Sequence, residues 1–229
     1  MYNFPQLDTD YDTFTRDLDT GDILLYQSYN LKAEFIEWAE PCRYSHISVI
    51  LKNPTWLNKN LTEEFYIIES IINEDKGAIS HNNLNAIKVV PLRYVFDAYN
   101  HKTTYQNYNA GHLYIRKLHS NYAQEHIQNK IVDTYNKVKN ASYDYNIRDW
   151  YNAYNFLNKN DNFLSKFKSD RNKRDMFCSA FVTYMYIQIG FINHNIPWTI
   201  INPCDYSSTN KMSHLKFENC YLSDDEIRL

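Results

Sequence analysis

Five stretches of the chain space their apolar side chains as strands do, and three space them as helices do. After a polar amino-terminal lead, TGDILLY (20–26) reads as a tight turn at Gly21 and Asp22 entering a short buried strand. SHISVILK (45–52) alternates, so Ile47, Val49 and Leu51 share one face while His46 and Ser48 take the other. EFYIIESII (64–72) is nearly uninterrupted in its apolar character, which predicts burial on both faces. AIKVVPL (86–92) and HLYIRKL (112–118) add two more strands, the latter alternating apolar and basic residues. A small, mostly antiparallel sheet is the expected product.

Between the first two strands, Leu31, Phe35, Ile36 and Trp38 fit a short amphipathic helix stopped by Pro41. Ser120 stands where it can cap a helix in which Ala123, Ile127, Ile131, Tyr135 and Val138 recur every three or four residues. In RDMFCSAFVTYMYIQIGF (174–191), Cys178, Phe181, Val182, Met185 and Ile189 fall on one helical face, with Ser179, Thr183 and Gln188 turned elsewhere. Asp175 can cap its start, and Gly190 sits where a left-handed residue closes a helix. Strands followed by packed helices predict an α+β architecture in one domain over 1–229. Residues 146–173 set Trp150, Tyr151, Tyr154, Phe156, Phe163 and Phe167 among asparagines and lysines. This aromatic-rich insertion reads as a local packing element, or as a lid or substrate wall.

Charge and composition narrow the function. A formal charge of −3, with dispersed basic residues, supplies no field for nucleic acid, which is not expected as a partner. The amino terminus shows no charged-then-apolar signal and no run approaches the ~18 apolar residues of a membrane span, so a soluble, intracellular chain is expected. Peripheral contact with a membrane surface would follow from a contiguous patch of exposed aromatics near Trp150. Cys42, Cys178, Cys204 and Cys220 are widely separated and form no C-x-x-C pair, which argues against a zinc ribbon or a dense disulfide framework. Cys42 and His46, four apart, are a weak metal pair lacking a second half, and no metal or organic cofactor is expected.

Cys178 falls in the first turn of its helix, where unpaired backbone N–H groups carry partial positive charge that can lower a thiol pKa. Cysteine is also a common small core hydrophobe, so a nucleophile needs a base within reach. Among eight histidines, His46 begins a strand and can aim its ring into a cleft, although a core imidazole bonded to the backbone would fit there too. His81, His101, His112, His119, His126, His194 and His214 mostly occupy polar surroundings and read as surface residues. Glu69 lies in the most apolar strand, where an ionised carboxylate is costly unless paired. The alternative is an edge strand whose end reaches water. A neighbouring strand bearing His46 can supply the partner: one imidazole nitrogen bonds the carboxylate and the other faces the thiol.

In order along the chain, TGDILLY, YSHISVIL, FYIIES, NASYDYN, FCSAFVTYMYIQIGF and INPCDYSS (201–208) resemble the permuted branch of the NlpC-type papain-like cysteine peptidases and amidases. Members of that branch occur in bacteria and in large DNA viruses, including poxviruses, and the similarity covers most of residues 20–210. The resemblance implies a circularly permuted papain-like fold, a sheet packed against the cysteine-bearing helix, with the histidine preceding the cysteine. It implies Cys178 as nucleophile, His46 as base and Glu69 as third polar member. Gly21 and Asp22 match the family's structural turn, and INPCDYSS matches its Pro-x-Asp segment, leaving Cys204 incidental. The cysteine motif Phe177-Cys178-Ser179-Ala180-Phe181 departs from the Asn-Cys-Glu-His-Phe of the lecithin retinol acyltransferase group.

The implied activity is cleavage of an amide bond through an acyl-enzyme, with the Cys178 N–H and Tyr44 as oxyanion donors. Peptide, amide and acyl-lipid substrates all stay open. The alternatives are a lipid-directed thioesterase or acyltransferase using the same triad, and a catalytically silent viral module with a structural or binding role. A viral member would work in the host cytoplasm or the virion.

Overall fold

A computed structural model describes residues 10–28, 43–71, 87–99, 111–140, 177–198, 201–210 and 213–228. Its helices are α1 (Tyr11–Thr15), α2 (Leu92–Tyr99), α3 (Gln124–Val138) and α4 (Cys178–Ile189). Its strands are β1 (Ile23–Ser28), β2 (His46–Lys52), β3 (Phe65–Ser70), β4 (Ile87–Pro91), β5 (Gly111–Arg116), β6 (Leu118–Ser120), β7 (Cys220–Leu222) and β8 (Ile227–Arg228). The class is α+β. Six strands form one sheet in the order β4-β3-β2-β1-β5-β8, with each neighbouring pair antiparallel. A separate ribbon pairs β6 with β7.

Helices cover both faces of the large sheet, which is why its central strands are apolar almost throughout. Ile23, Leu25, Ile47, Val49, Leu51 and Ile68 face α3 and α4, packing on Ile127, Ile131, Phe181 and Met185. Leu24, Ile50, Ile67, Leu113 and Ile115 face the other way, onto Phe14, Val95 and Phe96 from α1 and α2. Burying each such side chain contributes about 1.5–3 kcal/mol. The expected alternation in β5 is therefore lost: Leu113, Tyr114, Ile115 and Arg116 are all buried, the last donating to the carbonyls of Tyr206, Leu222 and Ser223.

Some element ends differ from the sequence reading. Ala123, not Ser120, occupies the N-cap of α3; Ser120 closes β6, and its Oγ accepts the N–H of Tyr122. Phe177 is the N-cap of α4, so Cys178 is that helix's first residue. Gly190 ends α4 in the left-handed region, φ 94°, as its position predicts. Ser179 and Thr183 are buried along with the apolar face, because their hydroxyls bond the carbonyl of Ile201, the carbonyl of Ser179 and the Tyr206 phenol. The helix anticipated around Leu31–Trp38, the cap Asp175 and the insertion at 146–173 lie outside the described residues. No helix among the described residues is long and apolar enough to cross a membrane.

The turn before β1 ties the layers together. Gly21 has φ 102°, its N–H donates to the Ile50 carbonyl, and its own carbonyl accepts from the Tyr186 hydroxyl of α4 at 2.5 Å. The buried Asp22 carboxylate accepts from the Asp19 and Leu118 N–H groups and from Lys117 Nζ at 2.6 Å. A Cβ at Gly21 would stand 2.6 Å from Leu118 Cδ2, in backbone that side chains rarely adopt. Gly21→Ala is expected to destabilise the protein by about 1–3 kcal/mol, read from urea unfolding. A loss under about 0.5 kcal/mol would show that the turn relaxes freely.

Candidate active site

The pairing register fixes which side chains can meet at the head of β2. Tyr26 stands opposite His46 in the β1–β2 ladder, and Val49 stands opposite Ile68 in the β2–β3 ladder. One step further along, Glu69 comes beside Ser48, on the face that Ile50 and Ile67 share. The carboxylate thus reaches the imidazole diagonally across two strands, and His46 Nε2 lies 2.6 Å from Glu69 Oε2. β3 is an interior strand and Glu69 is fully buried, so the carboxylate does not reach water as an edge residue would.

Cys178 arrives from the opposite side of the sheet, on α4, which packs against β2 and β3. Both Cys178 and His46 are the first residues of their elements, which lets their side chains meet. The Cys178 side chain stands close enough to the imidazole to act on its proton affinity. With Nε2 committed to Glu69, Nδ1 is the ring nitrogen left for the sulfur. Three of the four residues singled out in the sequence are thereby brought together. His46 is the member that reaches solvent, its side chain 16% exposed while that of Glu69 is enclosed.

The electrostatics follow from that geometry. Burial pushes the imidazole towards its neutral form, but the neighbouring Cys178 and Glu69 side chains outweigh it, raising the His46 pKa to about 10. The first hydrogen bond of α4 runs from the Phe181 N–H to the Phe177 carbonyl, so the N–H groups of Cys178, Ser179 and Ala180 precede the helical ladder. Positive helix-end charge therefore lies next to the sulfur.

Tyr44 is placed differently from its expected oxyanion role. Its hydroxyl donates to Glu226, a buried carboxylate that also accepts from Arg43, from the Ser207 hydroxyl and from the Ser208 N–H. A phenol has one proton, and this one serves the carboxylate. Cys204 is also corrected: it is disulfide-bonded rather than incidental, whereas Cys178 and Cys220 are free. Cys42, the other half of the weak metal pair, lies outside the described residues, and among the described residues no three potential ligands gather.

Two further residues frame the cluster. Tyr26 packs its ring edge-on to the imidazole, 4.8 Å between centroids, and its hydroxyl is 2.8 Å from Ser48 Oγ. The split of the second strand put Ser48 on the His46 face, but Tyr26 could be found only by knowing the β1–β2 register.

No family model matches the chain, and no curated protein matches it. Among solved structures it is similar to the metalloprotein yiiX from Escherichia coli O157:H7, at 17% identity and a TM-score of 0.42, covering 73% of this chain and 64% of that one. The chain therefore spans less than two thirds of that protein's length. A likeness at this level leaves the reading of the site to its own residues.

The raised His46 pKa has a sign that can be checked. A proton held more tightly in the folded state stabilises fully below the unfolded value of about 6.5, and that stabilisation is lost as the pH climbs through about 10. Urea unfolding at pH 6 and pH 9.5 is expected to show a larger loss for the native protein than for Glu69→Gln, in which the imidazolium lacks its carboxylate. Equal losses would remove Glu69 from the set of groups that hold the proton.

Proposed function

We propose that this protein is a cysteine hydrolase of the circularly permuted papain-like type, cleaving an amide bond through an acyl-enzyme. The observation that carries the reading is the imidazole of His46 held between the Cys178 thiol and Glu69, with Nε2 bonded to the carboxylate at 2.6 Å. The histidine strand precedes the cysteine helix in the chain, the order of the permuted branch.

In the proposed reaction the Cys178 proton resides on His46 Nδ1, and the thiolate attacks the substrate carbonyl carbon to form a tetrahedral intermediate. In this reading the Cys178 backbone N–H, at the open end of α4, bonds the developing oxyanion. Collapse breaks the carbon–nitrogen bond as His46 passes its proton to the departing amine, leaving a thioester on Cys178. His46 then takes a proton from water, the hydroxide adds to the thioester, and the proton returns to the sulfur as the acid leaves. Glu69 holds the ring with Nε2 protonated and offsets the imidazolium charge throughout.

Alkylation by iodoacetamide followed by intact-mass analysis tests this directly. An ordinary thiol is on the order of 0.1% ionised at pH 5.5, and burial pushes Cys220 up to about 12, which makes it the internal reference. Cys178 is expected to label at least about tenfold faster than Cys220 at pH 5.5, with the advantage abolished in His46→Ala. Labelling no faster than Cys220 would sink the reading and leave a silent binding module. Amidase activity, once a substrate is found, is expected to fall on the order of 10³-fold or more in Cys178→Ala. An acyl-Cys178 adduct discharged only by an alcohol or amine would assign acyl transfer instead.

A further inference from the structure

Tyr26 is a large, fully buried side chain whose proton the reaction above does not use. Burial and the nearby Glu69 carboxylate keep its phenol neutral, so it is no acid or base at ordinary pH. Its location is nonetheless specific. It is the cross-strand partner of His46, and its ring meets the imidazole at 64°. At its tip the hydroxyl is bonded to Ser48, which lies two residues from His46 on the same face and is itself fully buried. Behind it stands Tyr99 of α2, ring centroids 5.8 Å apart at 64°. The phenol is thus held at its tip and backed by a second ring.

An imidazole turns about two single bonds, and a half-turn about the outer one exchanges each nitrogen with a carbon. Such a turn takes Nε2 from Glu69 and Nδ1 from Cys178 at once. We propose that Tyr26 is a positioning residue of this site: its ring, pinned through its hydroxyl to Ser48, holds the His46 imidazole in the orientation that serves Glu69 and Cys178 together. The role rests on the cysteine-hydrolase reading, and it requires the aromatic ring more than the hydroxyl. Among the described residues, the groups facing His46 are Glu69 from β3, Cys178 from α4 and Tyr26 from β1; Lys88 of β4 stands opposite Glu69 in the next ladder.

The test is the pH profile of Cys178 alkylation, from pH 5 to 10, in the native protein and in Tyr26→Phe, Tyr26→Met and Ser48→Ala, each first checked for cooperative unfolding. At low pH the thiolate depends on a correctly turned imidazole, whereas at high pH bulk base removes the proton without it. Tyr26→Met is expected to lose at least about tenfold at pH 5.5 while staying within about threefold of the native rate above pH 9. Tyr26→Phe, which keeps the ring but frees its tip, is expected to lose only about two- to fivefold at pH 5.5. If Tyr26→Met does not fold, Ser48→Ala decides: a loss of about two- to fivefold confined to the acid limb supports the role, and an unchanged acid limb overturns it. For a folded Tyr26→Met, an unchanged acid limb or an equal loss at both ends also overturns it. A native protein without an acid limb overturns the hydrolase reading and Tyr26's role with it, and that failure is visible before any Tyr26 variant is compared.

Discussion

A carboxylate inside an apolar strand is the constraint around which the rest of the molecule is arranged. Removing an ion of this size from water costs several kcal/mol even after the protein relaxes, and only close, well-directed partners offset it. Glu69 sits in β3 with a covered strand on either side and no path to solvent. The His46 imidazole at 2.6 Å answers that demand best as a cation. The interaction that makes β3 tolerable is thus the one on which the proposed reaction draws.

Two other buried carboxylates hold the frame of the same region, and each is anchored by donors distant in the chain. Asp22 gathers Lys117 and the Leu118 N–H at the foot of β1, where burial raises its carboxyl above the usual range despite the Lys117 ammonium. Glu226 gathers Arg43, Tyr44, Ser207 and Ser208 at the other end of the sheet. Between them they fix where β1 and β2 lie. That register is what sets Tyr26 against His46 and Glu69 within reach of it.

Much of this arrangement could be read from the chain because its signals are local. The alternation of SHISVILK assigns His46 and Ser48 to one face, and the apolar frame around Glu69 marks the carboxylate as needing a partner. The features hidden from the sequence are non-local or too short to show a period. α2 begins immediately after Pro91, so Leu92, at the head of its Leu92, Val95, Phe96, Tyr99 stripe, merged with the strand before it. β7 and β8 have three and two residues, below the length at which alternation can be recognised. The partner of Tyr44 lies 182 positions away, and only the folded chain reveals that the phenol is already engaged. Ser120 has the chemistry to cap α3 but is held in β6, so the cap falls three residues later, at Ala123.

The engagement of Glu226 bears on the order in which a ribosome-borne chain assembles this region. Arg43 and Tyr44 immediately precede Ser45 and His46, yet their anchor Glu226 lies 182 positions beyond Tyr44, just before β8 at the sheet edge. Until that late segment emerges, the approach to His46 lacks its tether, and the proton-sharing cluster has one loose wall. That tether closes only once Glu226 has been synthesised.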